Sequence, residues 1–477
     1  MGILHDFKVP TEYISRRQYE ANSNAKYRTE FMRDRDRIMY CGSFRRLSGK
    51  TQIYLAGKND NQRNRLTHTL EVAQIARTVA LALGLDCDLT EAIALGHDMG
   101  HTPFGHAGEQ MLHEIMVPGS TVNIKTSPMN DPSLLSSDQR DIKQFGFKHN
   151  IQSLRVAATI EQGYGKNGLN LTNYTLWGIL HHSSLVYGFG KVNTEVLDAN
   201  YIDMYKPYYK IPNFPNVESW SFEAFVVEQA DEVAQWHHDL EDAIRGYAMD
   251  PNEICKTLNK TLGEIMNDED KKRLNSLKKK KILDREYVTS LSRIVVNTLV
   301  NRLILCSTYN LELLWNKYNT KFQNKNQYFT ELSWQEDEVR KAVSLRRLDE
   351  DDSKISRMEK SYKNTIHEKI HHSRNVERMN AKGQYIIRKL MEAYYTHPQQ
   401  LPDAIIARYM VETEKYSNFQ KTLQVGFGSV RTKFEQIYTN KATFDLKSRI
   451  ALMRSICDHI AGMTDHYAIE EFQNLYE

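Results

Sequence analysis

The chain has 477 residues, with 63 basic against 60 acidic side chains and a formal charge of +3; 40% of its residues are hydrophobic. That apolar share can build a sizeable core and excludes global disorder. The near-neutral balance excludes a dedicated nucleic-acid coat protein or a polybasic membrane binder.

The N-terminal run MGILHDFKVPTEY has no basic stretch leading into an apolar one, and no run approaches the roughly 18 apolar residues of a membrane helix, so the expectation is a cytoplasmic protein with no membrane association. Five scattered cysteines without a CxxC pair fit free thiols and argue against a thiolate-ligated zinc. Residues 66–83 carry apolar stripes at Leu66, Leu70, Ala73, Ala76, Ala80 and Leu83 and at Val72, Ile75, Val79 and Ala82, which predicts a central helix apolar on two faces. Asp88 and Glu91 are spaced as a capping box for a helix over 88–99, ended by Gly100. The Pro- and Ser-rich stretch 117–147 and the Tyr-rich stretch 187–219 read as long irregular segments, either functional or surface insertions. A helical face recurs over 221–248 through Phe222, Phe225, Val226, Ala230, Val233, Leu240 and Ile244, and again over 286–316, 340–348, 383–396 and 446–473. The charged run 268–284 reads as a solvated helix face, with a phosphate-backbone contact as the alternative. Period-two β patterns are scarce, so the fold class is all-α.

The chemistry concentrates in 65–109, where Arg65 and His68 precede Gly96-His97-Asp98-Met99-Gly100-His101 and His106 and Glu109 follow. A bare His-Asp pair means little, since the chain has three, and His97 alone reads best as a hydrogen-bonded core residue. Four histidines and a carboxylate close to apolar helices are another matter, because burying an ionisable cluster is costly unless it is paired or metal-bound. Imidazole and carboxylate without thiolate suit Mn²⁺, Fe²⁺, Mg²⁺ or Ni²⁺ as well as Zn²⁺. The polar stripe Glu228, Asp231, Gln235, His238 and Asp242 reads on its own as a solvent face.

Six blocks, RTEFMRDRDRIMYCGSFRRLSGKTQIY (28–54), RLTHTLEV (65–72), GHDMGHTPFGHAGE (96–109), FKHNIQSLRV (147–156), ADEVAQWHHDLEDAI (230–244) and CDHIAGMTDHYAIEEF (457–472), together resemble the deoxyguanosine triphosphate triphosphohydrolase family, a branch of the HD-domain superfamily. The resemblance implies an HD-type helical core at 61–250, an N-terminal segment at 1–60 contributing to the active site, and a C-terminal helical extension at 251–477 packing on the core. It implies cleavage of a deoxynucleoside triphosphate, dGTP favoured, to deoxynucleoside and inorganic triphosphate by water attack on the α-phosphate. It implies one divalent ion, Mg²⁺ or Mn²⁺ before Fe²⁺, Ni²⁺ or Zn²⁺, on His68, His97, Asp98 and Asp231. His106, oriented by Glu109 at i, i+3, is then the catalytic acid or base. Arg65, His101, His149 and Asn150 surround the phosphates, and Gln52 and Asp239 hold the sugar. A homo-oligomer, a hexamer by resemblance, is implied, and single-stranded DNA is a further partner known among relatives. Two positions depart from the family pattern. Gln235 stands where a Tyr commonly packs on the deoxyribose, so Tyr187, Tyr201, Tyr205, Tyr208 or Tyr209 is expected to replace that wall, or ribonucleotide activity to remain. His181 stands where relatives often carry a phosphate-binding Lys. The rivals are an HD nucleotidase or phosphodiesterase with another leaving group, and a nucleic-acid-binding or regulatory protein with a vestigial metal site.

Overall fold

The computed structural model describes residues 6–17, 27–52, 63–119, 122, 124, 127–135, 145–164, 168–183, 205–211, 214–245, 251–277, 285–323, 330–350, 352–362, 364–365, 373–413, 427–440 and 444–477. These residues form an all-α fold interrupted by one antiparallel pair of short strands, β1 (Lys210–Ile211) and β2 (Phe214–Glu218).

The central helix α2 (Arg65–Ala82) lies against α3 (Cys87–Gly96) and α7 (Phe222–Arg245), while α1 (Glu30–Tyr40) covers α3. The two-faced apolar pattern accounts for this position: Val72, Ala73, Ile75, Ala76, Val79, Ala80 and Leu83 are all buried. Leu70 departs from the expectation, being 48% exposed on the remaining face, and Leu66 and Ala82 are only half-buried. The start of α3 also differs from the capping-box reading. Asp86 is the N-cap, accepting from the amides of Asp88 and Leu89, and the regular helix ends at Gly96, leaving His97-Asp98 in the turn that follows. An Asp two residues earlier wins because its short carboxylate reaches the free amides of the first turn.

One hydrophobic cluster joins α1–α3, α6 (Asn173–His181) and α7 to the helices Pro251–Leu262, Asp268–Leu277 and α8 (Arg285–Gln323). The sequence reading found no span-length apolar helix. By length and composition Tyr287–Phe322 is one, but Leu291, Ile294, Val295, Leu299 and Leu303 are core residues packed in this cluster. In the charged run, Leu274 and Leu277 are buried on one face of Asp268–Leu277; residues 278–284 lie outside the described ones.

A second cluster packs Leu112, Ile115 and Met116 of α4 (Gly105–Met116) on α10 (Arg374–Thr396), α11 (Asp403–Glu412) and α12 (Leu446–Ala461). Ile124, Met129, Leu134 and Phe145 from the irregular 117–147 stretch complete it, so these residues of the stretch fill the core. The clusters are tied by ions: Arg155, ending α5 (His149–Arg155), bonds the buried Asp458 of α12 at 2.6 Å and Glu412 of α11 at 3.1 Å.

Candidate active site

The turn after α3 is shaped by two glycines. A Cβ on Gly100 would meet the Ser153 amide at 2.1 Å and the His149 carbonyl at 2.3 Å, so only Gly allows α5 to close on the turn. Ser153 fixes the contact, accepting from the Gly100 amide at 2.8 Å and donating to the His97 carbonyl at 2.6 Å. Next, Phe104 adopts φ 62°, a left-handed conformation that costs a non-Gly residue about 1–3 kcal/mol. Its amide donates to Asp465 at 2.9 Å, where α13 (Asp465–Tyr476) begins, and Gly383 of α10 leaves room for its ring. The C-terminal helices therefore hold the loop that aims His101 and His106.

Around this turn His68, His97, Asp98 and Asp231 converge. His68 Nε2 lies 3.0 Å from Asp231 Oδ1 and 3.9 Å from Asp98 Oδ2, and His97 Nε2 lies 3.4 Å from Asp98 Oδ1 and 3.9 Å from Asp231 Oδ1. The polar stripe on α7 thus turns Asp231 inward, as the resemblance implied and against the solvent-face reading of the stripe alone. His97 Nδ1 is 2.6 Å from the Ala94 carbonyl, which fixes the proton there and leaves Nε2 as a bare lone pair. That nitrogen is fully buried with no hydrogen-bond partner among the described residues. An orphaned lone pair beside two carboxylates is the donor set a divalent cation takes, so the residues fit such an ion.

Asp98 is the electrostatic hub. Arg65 Nη1 bonds its Oδ2 at 2.9 Å, and His101 Nδ1 lies 2.8 Å from its Oδ1. Burial alone raises its pKa, yet His101, His97 and Arg65 hold it well below the usual carboxylate range. Burial and then Arg65 push His101 well below an ordinary imidazole. Burial opposes ionisation of Asp231 as well, and His68 and His97 outweigh it, lowering its pKa.

Glu109, buried in α4, is shared: Oε2 bonds His106 Nδ1 at 2.9 Å and Oε1 bonds both the ring and the amide of His149, at 2.9 and 2.8 Å. His149 stacks on His101 with centroids 3.9 Å apart. Gln52, Arg65, His68, Asp98, His101, His106, His149, Asp231 and Asp239 all line one cavity of about 300 Å³, together with Gln235, Trp236 and Tyr362. Gln52 reaches it because the Arg65 amide donates to the Lys50 carbonyl and Thr51 bridges Asn64, which sets the N-terminal segment against the start of α2.

The structure bears on three further positions. Asn150 does not line the cavity: its buried amide donates to the Leu180 carbonyl at 2.9 Å, closing the end of α6. His181, at the position where relatives often carry a Lys, is core: it stacks on Trp177 at 4.4 Å, lies beside Trp334, has its pKa pushed down to about 3 by burial, and does not line the cavity. Tyr205 and Tyr209 are buried away from the cavity, Tyr208 lies under Arg17, and Tyr187 and Tyr201 fall outside the described residues. The large aromatic side chains at the cavity, among the described residues, are Trp236 and Tyr362, stacked at 4.4 Å; Tyr362 comes from α9 (Asp352–Tyr362), far along the chain.

His182 was missed by the sequence reading. Its Nδ1 meets the Ile179 carbonyl at 2.7 Å, and its buried Nε2, without a hydrogen-bond partner among the described residues, belongs with Asp98 and His149 to a group close enough to share an ion. Two adjacent histidines ending an apolar helix were the available signal, but helical rotation decides which faces the site.

Residues 65–127 match the HD domain family, and residues 352–421 and 432–474 match the phosphohydrolase-associated domain. The chain is 30% identical over 488 residues to a deoxyguanosinetriphosphate triphosphohydrolase-like protein of Bartonella quintana, covering 99% of this chain and 98% of that one. It is 31% identical to the protein of that description in Bartonella henselae, covering 98% of each chain, and 30% identical to that of Leptospira interrogans, covering 96% and 92%.

Proposed function

Because the chain belongs to the deoxyguanosinetriphosphate triphosphohydrolase family of HD-domain phosphohydrolases, we propose that it hydrolyses deoxynucleoside triphosphates, dGTP first, to deoxynucleoside and inorganic triphosphate. His68, His97, Asp98 and Asp231 hold one divalent ion, Mg²⁺ or Mn²⁺. The observation that carries this is the buried Nε2 of His97, without a hydrogen-bond partner among the described residues, facing two carboxylates.

An ion held by these four residues would supply charge neutralisation for the substrate phosphates. Arg65, its Nε unpartnered among the described residues, pairs with phosphate oxygens as a planar, permanently charged fork. His101 and His149 flank the same phosphates. Water adds to the α-phosphorus, the bond to the sugar 5′ oxygen breaks, that oxygen gains a proton and the water loses one. His106 serves this transfer: donating Nδ1–H to Glu109 leaves Nε2 to exchange the proton, and the Glu109 carboxylate stabilises the charged ring. Gln52 and Asp239 hold the sugar 3′ hydroxyl. By the same family reading the protein assembles as a homo-oligomer, a hexamer, in the cytoplasm, and single-stranded DNA is a second ligand to test.

The test is metal-depleted protein given Mg²⁺ or Mn²⁺ and each of the four dNTPs or GTP, with products resolved by chromatography. Deoxynucleoside and triphosphate are expected, and Asp98→Asn abolishes both turnover and metal binding. Release of pyrophosphate or orthophosphate in place of triphosphate assigns another leaving group.

A further inference from the structure

His68 does not end at the site it faces. Its Nδ1 lies 3.2 Å from Nδ1 of His238, with both rings buried and their planes 68° apart. The other nitrogen of His238, Nε2, bonds the carboxylate of Glu71. Glu71 is in turn held by His237 Nε2 at 3.3 Å and Arg63 Nε at 3.2 Å, and Arg63 reaches Glu241 at 2.5 Å.

Two ring nitrogens at 3.2 Å can share only one proton. If His68 offers its Nε2 lone pair to the site, Nδ1 carries the proton and donates it, and His238 Nδ1 must accept. The single proton of neutral His238 then sits on Nε2, where the Glu71 carboxylate is placed to receive it. Every proton in the row is fixed once the carboxylate is ionised. Burial opposes that ionisation, but His237, His238 and Arg63 hold the Glu71 pKa well below the usual range.

We propose that His238 is a positioning residue for the metal site, locking His68 in its ligating tautomer through a Glu71–His238–His68 row of hydrogen bonds. The inference rests on the reading of His68 as a metal ligand. It extends the usual carboxylate–histidine–metal arrangement by one imidazole. The fold builds it economically. Glu71 follows His68 by three residues on α2, and His238 follows Asp231 by seven on α7, so each helix supplies one ligand and, on the same face, one support. The row also explains why a fully buried histidine stands at 238, where an apolar side chain would otherwise fill the helix contact.

The experiment measures Mn²⁺ affinity by calorimetry and by the electron paramagnetic resonance signal of free Mn²⁺, on full-length protein, for His238→Leu, His238→Gln and Glu71→Gln. The expected loss for His238→Leu is about 10–100-fold, the usual worth of an outer support. His238→Gln recovers most of it, because its amide oxygen accepts from His68 and its NH₂ donates to Glu71. Glu71→Gln weakens binding in the same direction. A folded His238→Leu protein binding Mn²⁺ within twofold of the parent overturns the proposal. If His238→Leu does not fold, Glu71→Gln decides, since Glu71 is 37% exposed and its amide keeps the same shape; unchanged affinity there overturns the row. A second ion at Glu71, His237 and His238, lost in Glu71→Gln with the first site unaltered, also overturns it. The two readings separate cleanly. If Asp98→Asn leaves Mn²⁺ binding intact, the metal-site reading fails; if Asp98→Asn abolishes binding while the His238 and Glu71 variants bind normally, only the row fails.

Discussion

Gln235 donates its side-chain amide to Asp239 Oδ1 at 2.8 Å, one turn further along α7. Its own oxygen accepts from Gln52 Nε2 at 3.2 Å, so it links the two side chains assigned to the sugar. The residue that looked like a missing aromatic wall is instead the middle of a polar clamp, and the aromatic surface is left to Tyr362 and Trp236.

A clamp that bonds a hydroxyl penalises its absence, because the hydrogen bonds to that hydroxyl are not made. Cleavage of 2′,3′-dideoxy-GTP should fall below that of dGTP by about 10–100-fold in kcat/KM, corresponding to about 1–3 kcal/mol. Gln235→Ala should shrink that gap by loosening Gln52 and Asp239. Equal cleavage of the two nucleotides by the parent protein would remove the sugar assignment.

The shared carboxylate of Glu109 makes a second expectation asymmetric. His106→Ala should retain Mn²⁺ and substrate binding and lose about 10²–10⁴ in kcat. Glu109→Ala should also disturb His149, so it should raise KM as well as lower kcat. The double variant should lose far less than the product of the single losses, since the pair acts as a unit. Strictly multiplicative losses would show that the two residues act independently.

The Arg155–Asp458 pair is buried on both sides, so removing one partner strands a charge. Asp458→Ala should cost about 3–5 kcal/mol in denaturant unfolding. Burial raises the Asp458 pKa, but Arg155 and Arg454 outweigh it and the folded-state pKa is depressed. Its contribution is therefore present above the unfolded value of about 4 and lost as pH falls through the folded one. Parent and variant should converge in stability at strongly acidic pH; a constant difference across that range contradicts the ionised pair.

Glu223 has the opposite sign. Fully buried in α7, it accepts from the Asp86 amide at 2.9 Å, and burial pushes its pKa up to about 8. Between the unfolded value near 4.3 and about 8, the unfolded chain holds fewer protons, so stability falls as pH rises. Glu223→Gln should unfold with a flatter pH profile and be the more stable protein at pH 9 by about 1–3 kcal/mol. Parallel profiles for the two proteins would show that Glu223 ionises freely in the fold.

What the sequence determined by itself was whatever depends on neighbours within a few turns. The spacing of apolar residues made α2 a two-faced central helix, and the short interval from His97 to Glu109 placed a His-Asp pair beside an imidazole–carboxylate pair. Six blocks in order carried the family. Only the tertiary structure decided what depends on the rotation of a helix against a distant partner. It set α7 so that Asp231 lies 3.0 Å from His68, chose His182 over His181 to lie near Asp98, and aimed Asn150 at a backbone carbonyl. It brought Tyr362 to the cavity and Asp465 to the Phe104 amide. A polar side chain reads the same in sequence whether it faces water or an ion; packing decides, because burying such a group is tolerated only where partners from other elements meet it.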